Sequence, residues 1–249
     1  MRLHFDKPVS KHHYALRCLP SDNNRQLVEE TTLKITPVTK QSRTADNFGN
    51  IVVNGCINEP HTAFEVEVCG TVRIVSVDYE QTSCGINDRL FLYPTPLTKT
   101  SKALTACLEN MPQASDYDKA LHIMHYIHDT MTYTPRSTDI FTTAAQAFEQ
   151  KKGVCQDYAH IMLTLCRMNN IPARYVVGIL NGEGESHAWT EVLCKGRWYG
   201  FDPTNNLLVN HEYIKFSHGR DYKDCMICRG IFFGQANQTQ TVKASLKVL

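Results

Sequence analysis

GVCQDYAH, at residues 153–160, lies between two segments whose apolar residues repeat at helical spacing. The Gly-Val pair breaks the first segment and leaves Cys155 at the first position where a new helix can begin. Free backbone N–H groups at a helix start stabilise a thiolate, and a buried structural cysteine has no need of that position. Cys155 is therefore a candidate nucleophile, which would require a base and an orienting acid elsewhere in the chain.

Three helices are predicted around this cysteine. The first begins after Ser115, a good capping residue, and carries an apolar stripe. The second is short, is capped by Thr142 or Thr143, runs through Glu149, and is ended by Gly153. The third spans residues 155–169 and stops before a proline.

Strands are predicted after the third helix, at residues 174–180, 187–194 and 197–202. The last two form a hairpin, because Lys195-Gly196 between them is a natural two-residue turn. A two-residue or four-residue turn fixes the register of this hairpin, whereas a three-residue turn would send facing side chains to opposite sides.

That register predicts a base and an acid on one face of the hairpin. Asp202 lies opposite Trp189, and His187 is two residues from Trp189 on the same face, so His187 and Asp202 are diagonal neighbours. If the start of the third helix packs against this face, Cys155, His187 and Asp202 meet as nucleophile, base and orienting acid. The negative charge of Asp157 in the first helical turn would disfavour the thiolate. Pairing of Cys155 with His187 must outweigh this repulsion.

The oxyanion donor, the role of Trp189 and the role of the loop before His187 each have more than one interpretation. The backbone N–H of Cys155 is the first candidate for stabilising an oxyanion, and the side chains of Gln156 and Tyr133 are two others. Trp189 either walls the site or is a core aromatic of the hairpin. The polar loop at residues 181–186 is either a mobile rim or a simple connection.

The first part of the chain has a different pattern. Short alternating runs at residues 30–37, 51–57 and 63–77 predict a small antiparallel β-sandwich. A proline-containing linker follows, so we predict a β-sandwich domain at residues 1–95 and a catalytic core at 96–249, with a C-terminal strand that could close a sheet.

Composition excludes several classes of function. The chain of 249 residues has a formal net charge of +1, without a basic patch for nucleic acid or a membrane surface. No run approaches the ~18 apolar residues of a membrane span, and the N-terminus has no signal-like apolar region, so we expect a soluble cytoplasmic protein.

Cysteine and histidine spacing does not predict a metal centre. Seven of the ten cysteines are scattered as small apolar residues would be, at Cys18, Cys56, Cys69, Cys84, Cys107, Cys166 and Cys194. Cys225 and Cys228 form a CxxC without a second ligand pair. Three histidines recur on the first helix, but steps of three residues rotate around a helix, so His122, His125 and His128 cannot all face one ion. We expect no cofactor and no metal.

Three motifs resemble a known family, the bacterial transglutaminase-like proteins, many of which are proposed cysteine proteases. They are GVCQDYAHIMLTLCRMNNIPARYVVGIL, SHAWTEVL and RWYGFDPTNN. The resemblance extends to an N-terminal β-domain through DNFGNIVVNGCINEPHTAFEVEV and to a closing segment through GRDYKDCMICRGIFFG. It implies an α+β fold, with a papain-like core behind an antiparallel β-sandwich, and a catalytic triad of Cys155, His187 and Asp202.

The resemblance leaves the reaction open. A cysteine-dependent hydrolase of amide or peptide bonds, acting on a peptide or protein through a thioester, is the expected function, because water is always available as the second reactant. An acyltransferase that joins glutamine to an amine is the alternative within enzymology. A non-catalytic binding module and a metal protein using Cys225 and Cys228 are the alternatives outside it, and the oligomeric state is open.

Overall fold

The computed structural model describes residues 1–76, 86–107 and 111–248 of the chain. Two sequence predictions lie outside these residues: the end of the third β-run at Val77 and the apolar role of Cys84. The fold is α+β, as predicted, with antiparallel sheets before and after a group of helices. Across the three described ranges, no helix is both long and apolar enough to span a membrane.

The N-terminal β-sandwich is confirmed. Its first five strands are β1 (Arg2–Leu16), β2 (Gln26–Thr36), β3 (Gln41–Ala45), β4 (Ile51–Ile57) and β5 (His61–Ile74). They pair in the order β2-β5-β1-β4-β3, and β1 belongs to both layers because its first half pairs with β5 and its second half with β4. Alternate side chains of β1 point into an apolar core that includes Leu3, Phe5, Leu16, Val53 and Phe64.

The end of the chain returns to this sandwich. Three strands form there, β14 (Cys228–Phe233), β15 (Gln238–Thr241) and β16 (Ala244–Leu246). β14 and β15 both pair with β1, and β16 pairs with β9 (Gly182–Gly184) in the polar loop before His187. The C-terminal run therefore pairs in sheets, as predicted, while the division into residues 1–95 and 96–249 stays a prediction.

The second half of the chain contains one five-stranded antiparallel sheet. Its strands are β8 (Ala173–Leu180), β10 (His187–Cys194), β11 (Arg197–Asp202), β12 (Leu207–Leu208) and β13 (Tyr213–Gly219), in the order β12-β11-β10-β8-β13. The hairpin strands β10 and β11 have the bounds that the sequence predicts. Two of its strands, β8 and β10, pack against the helix that begins at Cys155.

The described residues form four α-helices, of which the second and the fourth pack against this sheet. They are α1 (Lys102–Ala106), α2 (Asp116–Thr130), α3 (Ala144–Gln150) and α4 (Cys155–Met168). A 3-10 turn at Pro96–Thr98 lies in the predicted linker. Ser115 caps α2 by accepting from the backbone of Asp118, as predicted, and Thr143 rather than Thr142 caps α3. Almost every residue of α4 is buried, so this helix is the centre of the core.

The predicted helix through Glu149 is confirmed to within one residue, since α3 extends to Gln150. The residue that ends it is Lys151, whose backbone is left-handed (φ 54°), and not Gly153 as predicted. The chain between the two helices instead forms β7 (Lys152–Gly153), which pairs in parallel with β6 (Thr132–Tyr133). Pairing supplies hydrogen bonds that a longer helix would have lost, because β6 already presents free backbone groups there.

Two amide side chains join the sandwich to β13. The Gln26 amide nitrogen donates to the Lys215 carbonyl (2.9 Å), and its oxygen accepts from the Lys215 backbone nitrogen (3.0 Å). Asn50 makes the same paired contact with the backbone of His218, at 2.8 Å in both directions. Both amides are buried, so each of them satisfies its own hydrogen-bonding groups with the backbone of β13.

Candidate active site

Cys155 is the first residue of α4, where the sequence places it. A capping arrangement fixes this helix start, since an Asp157 carboxylate oxygen accepts from the Val154 backbone nitrogen (2.8 Å) and from the Thr138 hydroxyl (2.6 Å). Burial raises the pKa of Asp157, although the hydrogen bond from Thr138 opposes that rise. The carboxylate that was expected to disfavour a thiolate is therefore engaged in the cap.

Gly153 is required by the same cap. A Cβ added at residue 153 would lie 2.6 Å from an Asp157 carboxylate oxygen and 2.7 Å from its Cβ. These distances are too short for non-bonded atoms, so any larger residue would push the capping side chain away. The glycine thus acts by allowing a close approach, and not by ending the preceding helix.

The register predicted for the hairpin is confirmed. Cys194 pairs with Arg197, and Thr190 pairs with Phe201, across a two-residue turn. Both turn residues, Lys195 and Gly196, have positive φ angles (49° and 76°), as a tight hairpin turn of this kind requires. The parity of this turn puts Asp202 on the same face as Trp189 and His187.

His187 and Asp202 form a direct hydrogen bond. The distance from His187 Nε2 to Asp202 Oδ2 is 2.7 Å, and the Asp202 side chain has no exposed surface. Four further donors reach this carboxylate, namely the backbone nitrogens of Thr204 (2.9 Å) and Asn205 (3.2 Å), the Asn205 amide (2.7 Å) and the Tyr213 hydroxyl (2.8 Å). Hydrogen bonds from these five donors stabilise the charged form of the Asp202 carboxylate and fix its orientation.

These further partners of Asp202 were not predicted from the sequence. Thr204 and Asn205 follow Asp202 within three residues, so an Asp-Pro-x-Asn turn was a usable local signal. Tyr213 arrives from β13, a strand that is separate in sequence, and no local pattern indicates it. Its hydroxyl is buried, and burial together with the negative charge of Asp202 raises its pKa.

The Cys155 thiol and the His187 imidazole come together by a route that differs from the expected one. α4 packs on the hairpin face that carries Ala188 and Val192, and the Thr190 hydroxyl donates to the Ala159 carbonyl of this helix (3.3 Å). Trp189 lies on the other face. His187 is the first residue of its strand, so its ring is at the end of the sheet, where it hydrogen-bonds Asp202 and interacts with the Cys155 thiol.

Electrostatics favour a charged imidazole at this position. Burial lowers the pKa of His187, but the hydrogen bonds with Asp202 and Cys155, and their negative charges, outweigh burial and raise the pKa to about 10. Burial likewise raises the pKa of Asp202, and the hydrogen bond and positive charge of His187 outweigh it, so this pKa is lowered. The two residues therefore stabilise each other as an ion pair.

This ion pair predicts how stability depends on pH. The folded pKa of His187, about 10, is above its ordinary value of 6.5, so the stabilisation is complete below about pH 6.5 and is lost as pH rises through 10. We expect the difference in unfolding free energy between wild type and His187→Gln to fall by roughly 2–4 kcal/mol from pH 6.5 to pH 10. Urea unfolding at several pH values measures this difference, and a constant difference would contradict the ion pair.

The remaining candidates around Cys155 take distinct positions. β6 pairs with β7, which puts Tyr133 beside Gly153, and burial followed by the charges of Cys155 and Glu185 raises the pKa of the tyrosine. Gln156 is the next residue of α4 and is half-buried. Trp189 is fully buried and stacks on the His187 ring, with 6.3 Å between centroids, so it backs the imidazole from within the core.

Cys225 and Cys228, the two cysteines of the CxxC motif, lie in surroundings that keep their thiols protonated. All nine cysteines in the described ranges are free thiols. Cys225 is fully buried in the core around α4, and burial raises its pKa well above the ordinary value, while burial raises the pKa of Cys228 to about 12. In residues 1–76, 86–107 and 111–248, no group of three or more His, Cys, Asp or Glu side chains is arranged to hold a metal ion.

Comparison with known proteins identifies the family. The family model of the transglutaminase-like superfamily core matches residues 105–203, and that of the bacterial transglutaminase-like N-terminal region matches residues 1–73. The chain belongs to the transglutaminase-like superfamily. The core match includes Cys155, His187 and Asp202, and the N-terminal match covers the β-sandwich of this transglutaminase-like protein.

Two similar proteins extend along nearly the whole chain. An uncharacterised protein of Mycobacterium leprae is 29% identical over 93% of this chain and 90% of its own length. The crystal structure of a Cytophaga hutchinsonii protein proposed to be a cysteine protease has a TM-score of 0.80 and 24% identity, over 99% of this chain and 90% of that one. An uncharacterised Mycobacterium tuberculosis protein is 37% identical, but over only 43% of this chain and 39% of its own. The fold is thus shared with that crystal structure over nearly the whole chain, while the catalytic roles of the three site residues stay a prediction.

Proposed function

We propose that this protein is a cysteine-dependent hydrolase of amide or peptide bonds, with Cys155, His187 and Asp202 as its catalytic triad. The observation that carries the proposal is that one imidazole ring hydrogen-bonds the buried Asp202 carboxylate (2.7 Å) and has its pKa raised by the Cys155 thiol as well. Membership of a superfamily in which such triads are known, and the likeness to a proposed cysteine protease, support it. The substrate is a peptide or protein that carries a carboxamide or a peptide bond.

The first half of the reaction forms a thioester. The Cys155 thiolate attacks the carbonyl carbon of the substrate, and the carbonyl oxygen becomes an oxyanion near the backbone N–H of Cys155. The imidazolium of His187 then gives its proton to the departing nitrogen, so that ammonia or an amine leaves and the acyl group remains on the sulfur. Asp202 holds the ring in the orientation that presents its second nitrogen to the sulfur.

The second half of the reaction returns the enzyme to its starting state. His187, now neutral, takes a proton from water, and the resulting hydroxide attacks the thioester carbonyl. The carbon–sulfur bond breaks, a carboxylic acid leaves, and the proton stays on His187 beside the thiolate. If a primary amine takes the place of water, the same steps yield an amide and the protein is an acyltransferase.

Mass spectrometry of substrate mixtures tests the proposal. Casein and a blocked glutamine peptide are incubated with the protein, with and without glycine ethyl ester as an amine. We expect cleaved peptides or deamidated glutamine without the amine, and a thioester-linked peptide on Cys155 after rapid acid quenching. Faster incorporation of the amine than hydrolysis would favour the acyltransferase instead. The absence of every product, together with an unmodified Cys155, would favour a binding module.

A further inference from the structure

Two of the three histidines on α2 contact the loop that follows Asp202. His128 Nδ1 lies 3.2 Å from the Thr204 carbonyl oxygen, and His125 Nδ1 lies 2.6 Å from the Asn206 side-chain oxygen. Since these oxygens can only accept, each Nδ1 carries a hydrogen and donates it. Asn206 has a left-handed backbone (φ 57°), a conformation that a non-glycine residue keeps when its surroundings hold it.

A single peptide unit connects His128 to Asp202. The carbonyl of Thr204 and the backbone nitrogen of Asn205 belong to the same planar group. Its carbonyl end accepts from His128, and its N–H end donates to Asp202 Oδ1 at 3.2 Å. Hydrogen bonds in such a chain polarise one another, so the contact at the carbonyl strengthens the donor that faces the carboxylate.

We propose that His128 is a positioning residue for Asp202, acting through the peptide unit between Thr204 and Asn205. The proposal rests on the proposed function, because it concerns the acid of the same triad. His125 supports it by holding the loop one residue further on. A chain of contacts then runs from α2 through the loop to Asp202, to His187 and to the thiol of Cys155.

The third histidine provides an internal comparison. His122 is exposed and lines a different cavity, with Ala106, Phe148 and Leu165. The three rings therefore diverge, as steps of three residues on a helix of 3.6 residues per turn require. The histidine repeat at first suggests a metal site. In this proposal, His125 and His128 instead contact the loop after Asp202, and His122 has no part in the site.

Three variants test whether the His128 N–H acts on the triad. His128→Leu removes the donor, His128→Asn keeps an amide N–H close to the position of Nδ1, and His122→Leu is the matched control. The measurement is the rate of Cys155 alkylation by iodoacetamide at about pH 6, followed by peptide mass spectrometry, where a reactive thiol depends on its ion pair. We expect about a fivefold slower rate for His128→Leu, with wild-type rates for the other two.

A spectroscopic measurement separates positioning from packing. The downfield proton resonance of the His187–Asp202 hydrogen bond should shift in His128→Leu and return in His128→Asn. An unshifted resonance with an unchanged alkylation rate would overturn the proposal, and so would a His128→Asn rate as slow as that of His128→Leu. If the leucine variant does not fold, His128→Gln, which places its amide at the position of Nε2, replaces it with the same expected loss.

The same experiment distinguishes a failure of this inference from a failure of the proposed function. If wild-type Cys155 reacts no faster than Cys69 or Cys107, the triad itself is not assembled and both proposals are wrong. If Cys155 reacts fast in wild type and equally fast in every His128 variant, the triad stands and only the positioning role is wrong.

Discussion

Replacing Cys155 with alanine should abolish turnover, lowering kcat by roughly 10⁴-fold or more, because no other group in the site can form the thioester. The fold should survive, since Cys155 is only half-buried at the start of α4 and the Asp157 cap does not use its side chain. Hydrolysis of the best peptide found in the substrate mixtures gives the rate, and thermal unfolding verifies that the variant is folded.

Cys69→Ala is the matched control for this prediction. Cys69 is an exposed thiol on β5 of the sandwich, so its loss should leave both turnover and stability close to those of wild type. Equal activity of Cys155→Ala and wild type would show that the hydrolysis has another origin. Loss of activity in Cys69→Ala as well would point to general thiol damage.

Asp202→Asn should reduce turnover by roughly 10³- to 10⁴-fold while leaving Cys155 and His187 in place. In wild type the carboxylate accepts the hydrogen of His187 Nε2, so Nδ1 is free to exchange a proton with the thiol. An asparagine amide that donates to Nε2 would move the ring hydrogen to Nδ1. Nδ1 would then be unable to accept the thiol proton. Alkylation of Cys155 at about pH 6 should slow in parallel, because the charged imidazolium is lost.

The asparagine also removes an acceptor that five donors share, so we expect a loss of about 1–3 kcal/mol in unfolding free energy. Activity is therefore compared at a temperature where the variant remains fully folded. Asp129→Asn, an exposed carboxylate of α2, is the control and should match wild type in both measurements. Retention of normal turnover by Asp202→Asn would exclude this carboxylate from the triad.

The local elements of this protein could be predicted from its sequence because they depend on neighbouring residues. A two-residue Lys-Gly turn allows one parity of pairing, which puts His187 and Asp202 on one face without any knowledge of the rest of the fold. Ser115 and Thr143 begin helices through contacts with residues three positions away. The break before Cys155 likewise follows from residues beside it.

The errors arise where distant segments compete with local preference. Gly153 predicts a helix end, but pairing between β6 and β7 ends α3 earlier, and the glycine is needed for contact with Asp157. The strands β14 and β15 join β1 across more than two hundred residues of chain, a pairing that no local pattern indicates. The face of the hairpin on which α4 packs is also determined by the packing of the whole core.

What the sequence by itself determined is the set of candidate groups for the proposed reaction: a cysteine at a helix start, and a histidine and an aspartate in one register of one hairpin. Only the tertiary structure decided how they meet. It seats α4 on the opposite face, brings His187 to the end of the sheet, and adds Tyr213 and the loop held by His128 to the carboxylate. The reason is physical, because turn parity and helix capping act over a few residues, whereas burial and orientation of a charge require donors from every element packed around it.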